Sequence, residues 1–284
     1  MFNAKMTIAG FDPSSGAGIT ADVKTIAAHE CYGICCITAL TVQSTAGVRR
    51  VQPVDPLIIT ETLEELVADL AVAAVHIGML GNGEVVRAVA GFLGQVRLPN
   101  IVLDPILKSS SGSDLLDAEG RRQLIETLLP LSYVVTPNLD EAGALTGLTV
   151  TNMEQMREAA ARLHALGAAN VVVTGGSLEK ATDLLSFTTS RGVEQEVFKA
   201  DRQKSNSTHG TGCAFATALA CHLAHGRGLP EAVLLSKAYV GAAIANAHPL
   251  GHGLGPLHHL YRMYEQRRPV GTRPEAEATR SSSR

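Results

Sequence analysis

The sequence predicts an α/β fold, a central mostly parallel β-sheet flanked by helices on both faces. Three observations lead there. Short apolar runs alternate with helix-like segments almost throughout the 284 residues. The runs are continuously rather than alternately apolar, which marks strands buried on both faces. Hydrophobic residues make up 45% and aromatics only 4%, with no Trp, so the core must be aliphatic; 27 glycines leave room for tight strand-to-helix turns.

Taken in order, residues 6–10 read as the first buried strand, followed by a Gly/Ser turn and a helix over 17–30. Residues 34–43 form a second strand rich in small and β-branched side chains. Asp55-Pro56 is an N-cap followed by a proline suited to the first helical turn, so a helix runs over 55–70. A strand over 73–80 and a helix over 82–95 come next. Three further apolar runs, 100–105, 133–138 and 170–176, each end in polar or glycine residues and are strands. Helices over 117–129, 139–146 and 152–167 fill the gaps. Residues 183–189 and 193–200 form an antiparallel hairpin across 190–192. Helices over 211–226 and 229–247 close the fold. No repeat or linker interrupts residues 1–260, and residues 1–267 read as one domain. The polar, Pro-containing segment 268–284 is expected to be disordered.

Composition narrows the function. A net charge of −3 lacks the basic balance of a nucleic-acid binder. No apolar run approaches the roughly 20 residues a bilayer requires, and the first ten residues carry no signal-peptide core. Five cysteines (Cys31, Cys35, Cys36, Cys213, Cys221) form no CxxC pair, which suits reduced thiols in the cytoplasm. Cys35 and Cys36 point to opposite faces of a strand and read as core residues. His248, His252, His258 and His259 match no zinc spacing and read as part of a Gly/Pro-rich surface loop.

In an open parallel sheet, ligands bind outside the carboxyl ends of the strands. The sharpest motif, Ser207-Thr208-His209-Gly210-Thr211-Gly212-Cys213, opens a helix of small residues. A Gly-rich turn at a helix start frees backbone N–H groups as an anion site. Cys213 falls in the first turn, where its thiol pKa should drop from about 8.5 towards neutrality. Such a thiol can take a proton from an alcohol, while the anion site stabilises a transferring phosphoryl group. The same four residues also suit tight helix packing around a small core cysteine. Segment 10–18, GFDPSSGAG, permits close approach of a ligand to backbone. It matches neither the dinucleotide GxGxxG nor the GxxxxGK[ST] phosphate loop, which argues against a nicotinamide cofactor. Asn138 and Glu141, three apart at a helix start, supply with Asp104 oxygen ligands suited to hydrated Mg²⁺ carrying phosphates; the spacing equally fits a capping box. Gln43 ends an apolar strand with an amide able to pair with a heterocycle edge.

These motifs, in this order, resemble the hydroxymethylpyrimidine/phosphomethylpyrimidine kinases of thiamine biosynthesis. The resemblance is carried by TIAGFDPSSGAGITADVKT (7–25), ITALTVQSTAGV (37–48), HIGMLG (76–81), VLDPILKSSSGSDLL (102–116), VTPNLDEA (135–142), VVTGG (172–176) and STHGTGCAFATALA (207–220). It covers about residues 5–260. It implies a ribokinase-like fold and two ATP-dependent steps at one site. The alcohol of 4-amino-5-hydroxymethyl-2-methylpyrimidine is phosphorylated first, then the monophosphate to the diphosphate. Gln43 would bind the aminopyrimidine, with Gly10, Ala17, Val42, Met79 and Leu107 lining its pocket. Cys213 would be the base, and the N–H groups of Gly210, Thr211, Gly212 and Cys213 the anion hole. Asp104, Asn138 and Glu141 would organise Mg²⁺ and the ATP phosphates, the ion through Asp104 and Glu141, with Thr174 and Lys237 near the nucleotide. A cytoplasmic homodimer is implied.

The chain departs from that family at Thr174 and His76, where lysines are usual, and at Phe11, where serine is more common. Lys108 and Lys204 are the candidates to replace the lysine absent at Thr174. Other readings are a pyridoxal kinase, which shares the Cys-type anion hole, a non-catalytic pyrimidine sensor on the same scaffold, and a cysteine acyl hydrolase built on Cys213 and His209. The contexts of Gln43 and Met79 favour the pyrimidine.

Overall fold

The computed structural model describes residues 4–203 and 205–265; the expectations for Lys204 and for the segment 268–284 lie outside them. Nine strands form one sheet in the order β3-β2-β1-β4-β5-β6-β7-β8-β9. The strands are β1 Ala4–Phe11, β2 Tyr32–Ser44, β3 Gly47–Pro53, β4 Val72–Ile77, β5 Ile101–Leu103, β6 Val134–Val135, β7 Asn170–Val173, β8 Ala181–Thr189 and β9 Gly192–Ala200. The run from β2 through β7 is parallel, and β3, β8 and β9 add antiparallel pairs at the two edges. The mostly parallel α/β sheet expected from the apolar runs is what the chain forms.

Alternation within the buried strands feeds two cores. Val75, Ile77, Ile101, Leu103, Val135, Val171 and Val173 pack against helices α2 (Pro56–Asp69), α3 (Gly83–Gln95), α5 (Leu139–Thr146) and α6 (Met153–Ala165) and against Leu124 and Leu128, which follow α4 (Ala118–Gln123). Ala74, Val102, Val134, Val172 and Leu185 face α7 (Thr211–Ala224) and α8 (Leu229–Ala245) on the other side. Helix α1 (Gly18–Ala28) packs beside α7.

Several elements differ from expectation. β3 was not anticipated: it is an edge strand with Arg49 and Arg50 exposed and Pro53 at its end, so it carries little apolar signal. β5 and β6 keep only three and two paired residues of longer apolar runs, because the chain turns into the site loops early. The helix expected over 117–129 becomes α4 plus a π-helical turn, Leu124–Leu128. A short α9, Tyr261–Glu265, follows the histidine-containing loop. That loop is not wholly superficial: His259 is buried, with its Nδ1 3.2 Å from Thr25 Oγ1. Cys36 is buried as expected, whereas Cys35 is exposed. No helix among the described residues is long and apolar enough to cross a membrane.

Candidate active site

The loops at the carboxyl ends of β1, β4, β5, β6 and β7 and the start of α7 enclose a cavity of ≈ 1340 Å³. That exceeds the roughly 300–1,000 Å³ of a single small-molecule pocket and has room for two ligands. Its lining includes the expected Gly10, Ala17, Gln43, Met79, Leu107, Asp104, Asn138, Glu141, Thr174, Gly210, Thr211, Gly212 and Cys213. Two expected residues are placed elsewhere. Val42 alternates with Thr41 and Gln43 on β2, so its side chain is exposed and away from the cavity. Lys237 donates to Asp183 Oδ2 at 2.7 Å. Asp183 in turn accepts from the Gly175 N–H at 3.0 Å, so this pair braces the turn after β7 rather than lining the cavity.

The helix starts fall into two sets, and α7 belongs with α1 and α8, which have no side-chain cap. α2, α3, α4, α5 and α6 each begin with an Asp or Asn whose side chain accepts an N–H of the first turn. α7 begins with Gly210 and has no side-chain cap, leaving first-turn N–H groups turned to the cavity. Gly210 is left-handed at φ +84°, and a Cβ there would lie 1.9 Å from the Gly16 carbonyl oxygen. Only glycine permits that approach. A Cβ on Gly212 would stand 3.5 Å from Asp104 Oδ2, so the turn and the carboxylate share the same space.

Cys213 sits in the first turn, as the sequence predicts, but its thiol does not behave as expected. Burial, and then the charges of Asp22 and Asp104, push it up rather than towards neutrality. A backbone N–H of Gly18 pulls in the opposite direction and loses. The helix terminus is local, whereas the burial that dominates and the carboxylates of α1 and of the loop after β5 that add to it are set by the tertiary fold.

Asp104 and Glu141 are both buried. Burial, together with repulsion from Asp22 and against attraction from His76, pushes the Asp104 carboxyl up to about 7. Burial and the charge of Asp104 push Glu141 up to about 8. Asp104 Oδ2 is buried with no hydrogen-bond partner. Glu141 also completes a capping box with Asn138, whose N–H donates to Glu141 Oε2 at 2.9 Å while Asn138 Oδ1 accepts from the Glu141 N–H at 2.9 Å. Of the two readings of that spacing, the capping box is the one the backbone forms. An orphaned carboxylate oxygen and a second carboxylate without a cation fit a hard divalent ion. No group of three or more His, Cys, Asp or Glu among the described residues closes a protein-only metal site, so phosphate and water oxygens would complete the shell.

Two residues without a role in the kinase reading of the sequence stand here. His209 Nε2 lies 2.8 Å from Asp12 Oδ2 and 3.2 Å from Gln43 Nε2. Asp12 also accepts from Ser14 and the Ala17 N–H, and although burial opposes them, these bonds hold its carboxyl below the usual range. The pair thus ties the β1 loop to the α7 turn and sets the amide of Gln43 beside both. The available signal was position: Asp12 ends the first strand and His209 immediately precedes the Gly-Thr-Gly turn. A second missed cluster lies beneath. Asp22 accepts from Thr7 Oγ1 at 2.6 Å and Thr217 Oγ1 at 2.9 Å, with His76 Nδ1 at 3.2 Å. It joins α7 to α1, β1 and β4, fixing the helix that presents the anion turn.

The family model described as phosphomethylpyrimidine kinase matches residues 12–258. The chain belongs to the phosphomethylpyrimidine kinase family. A hydroxymethylpyrimidine/phosphomethylpyrimidine kinase of Rhizobium meliloti is 41% identical over 265 residues, covering 92% of this chain and 98% of that one. The thiamine biosynthesis bifunctional protein of Geobacter sulfurreducens is 43% identical over 257 residues, 90% of this chain but 52% of that protein, so the chain spans about half its length. Among solved structures, Bacillus subtilis pyridoxal kinase as an ADP complex superposes with TM-score 0.83 at 34% identity, covering 93% of this chain and 100% of that one. The phosphomethylpyrimidine kinase of Clostridium difficile superposes with TM-score 0.75 at 36% identity, over 85% and 99%. Membership in this kinase family makes ATP the phosphoryl donor.

Proposed function

We propose that the chain phosphorylates 4-amino-5-hydroxymethyl-2-methylpyrimidine twice, first at its alcohol and then at the resulting monophosphate, each time from ATP. The observation that carries this reading is the uncapped turn of α7 set against Asp104 in a cavity continuous with Gln43 and Met79. Gln43 pairs with the aminopyrimidine edge, and Gly10, Ala17, Met79 and Leu107 surround the ring. The N–H groups from Gly210 to Cys213 take the charge that spreads over the transferring phosphoryl oxygens, the largest contribution a preorganised site offers. Asn138 and Thr174 lie along the phosphates. Lys108 lines the same cavity and, paired among the described residues with the exposed Asp114 at 3.7 Å, would reach them in place of a lysine at Thr174.

Asp104 and Glu141 would hold Mg²⁺, which when bound supplies positive charge to the carboxylates and the phosphates. With those carboxylates neutralised, two of the smaller contributions to the raised Cys213 thiol are removed, burial and the Asp22 charge remaining, and the N–H groups of Gly18 and of the α7 turn would support a thiolate. Cys213 then accepts the proton of the alcohol as oxygen attacks phosphorus. The second step needs no such base, because a phosphate monoester is largely ionised at neutral pH. On this reading the protein is a cytoplasmic homodimer, with residues 1–267 as one domain.

The test is the ADP formed per hydroxymethylpyrimidine supplied, with ATP and Mg²⁺ in excess and the reaction run to exhaustion. Two ADP per pyrimidine is expected. One ADP would confine the enzyme to the alcohol step, and turnover of pyridoxal alone would replace the pyrimidine reading.

A further inference from the structure

Helix α7 carries a second thiol chemistry at the end remote from the anion turn. Cys221 lies eight residues after Cys213, about 12 Å along the helix at 1.5 Å per residue. It is fully buried and in contact with Cys31, the residue that leads into β2. The two side chains pack together with Ile26 in one small buried cluster. Cys31 Sγ is 3.2 Å from His225 Nε2, at the end of α7, and 3.2 Å from the His29 carbonyl oxygen. Lys5, buried in β1, donates to the Cys221 carbonyl at 3.3 Å and places its charge beside both sulfurs. Two cysteines, a histidine and a buried lysine, from β1, the lead-in to β2 and the end of α7, thus converge where the proposed phosphoryl transfer makes no use of them.

The two sulfurs are not equivalent. The Cys221 hydrogen bond, and then Lys5 and His225, overcome burial and hold the Cys31 thiol well below its usual value. Burial and the bond to Cys31 push Cys221 well above it. Cys31 keeps a small exposed surface, 8%, and Cys221 has none. The exposed Cys35, by contrast, is pushed up by burial of its sulfur and by Asp22, and Cys36 is pushed up to about 12. Thiolate character, not exposure alone, governs oxidation.

We propose that Cys31 and Cys221 form a dithiol site oxidised by hydroperoxides, Cys31 reacting first and Cys221 closing a reversible disulfide. The Cys31 thiolate attacks the distal peroxide oxygen. An S–O bond forms, the O–O bond breaks, and the departing hydroxide or alkoxide takes up a proton. The Cys221 sulfur then attacks the Cys31 sulfenic acid, the S–S bond forms, and the hydroxyl leaves as water with the Cys221 proton. Two electrons pass from the dithiol to the peroxide, and a thiol reductant reverses the change.

The experiment treats the full chain with limiting hydrogen peroxide at pH 7 and maps the peptides without reduction. The expected product is a Cys31–Cys221 linked peptide, lost on dithiothreitol, with Cys31 consumed at least about five-fold faster than Cys35. In Cys221→Ser the oxidised Cys31 should instead be captured by dimedone. If that variant does not fold, the wild-type map alone decides. Oxidation of Cys35 ahead of Cys31, or oxidised Cys31 with no link to Cys221 in the wild type, would overturn the proposal.

Discussion

Replacing Asp104 by Asn should make the ligand-free protein more stable while removing its activity. The carboxyl is fully buried, one oxygen has no partner, and burial with repulsion from Asp22 raises it from 3.8 to about 7. At about 1.4 kcal/mol per pH unit, the charged form costs the fold about 4 kcal/mol well above pH 7. An amide in the same place has its own desolvation cost of about 1–3 kcal/mol. The net gain of Asp104→Asn is therefore about 1–3 kcal/mol at pH 8. The sign follows from linkage: for a carboxyl raised on folding, the stability present below its unfolded pKa of about 3.9 is lost as pH rises through about 7. The wild type should weaken from pH 5 to 8, and the variant should weaken less. Urea unfolding at pH 5, 6.5 and 8, without nucleotide or metal, should show a gap near zero at pH 5 that grows with pH. Turnover should fall about 10²–10³-fold. A variant less stable than wild type at pH 8, or a gap that does not change with pH, would refute the reasoning.

Cys213→Ala should slow the alcohol step by about 10²–10⁴-fold and the phosphate step by less than about tenfold, since only the first needs a base; equal losses in single-turnover assays of each acceptor would remove the base assignment. Gln43→Ala should raise KM for the pyrimidine by about 10- to 100-fold, the cost of one or two hydrogen bonds, with KM for ATP little changed; steady-state kinetics with each substrate varied checks the split. Lys108→Ala should raise KM for ATP about five-fold, as one exposed charge pairing with phosphate warrants, and an unchanged KM would place the compensating cation elsewhere. Gly210→Ala, with φ +84° and a Cβ 1.9 Å from the Gly16 oxygen, should cost about 2–4 kcal/mol in thermal or urea unfolding and disable the anion turn; near-native stability would mean that the turn yields easily.

How much was legible depended on the range of the cause. Buried parallel strands announce themselves through continuous apolarity, so β1, β2, β4 and β7 stood close to their expected places. β3 did not, because an edge strand bearing Arg49 and Arg50 has no buried pattern to display. The glycine turn before α7 and the pairing of Asn138 with Glu141 are set within a few residues, and both were readable. The direction of the Cys213 shift was not. A window around residue 213 contains the helix terminus but not Asp22 or Asp104, which reach the thiol only through the tertiary fold. Lys237 failed for a similar reason: Asp183, 54 residues earlier, already holds it. Asp12 and His209 were each adjacent to a recognised motif, yet nothing in either local sequence says that residues 197 apart meet.

The pattern of buried charge separates scaffold from chemistry. Asp12 has His209, Asp22 has His76, and Asp183 has Lys237, each pair joining elements distant in the chain. A buried acid with a basic partner and hydrogen bonds on its oxygens can be held at modest cost and fixes geometry. Asp104 and Glu141 differ. They face one another's field across the cavity, and neither has a cationic side chain paired to it among the described residues. A fold under no other demand would place a neutral side chain at such positions. The same repulsion that weakens the empty protein is relieved when positive charge enters, so the destabilisation is converted into affinity for a cation carrying phosphates. The Cys213 thiol feels part of that event, since Asp104 and Glu141 add to the burial and the Asp22 charge that push it up.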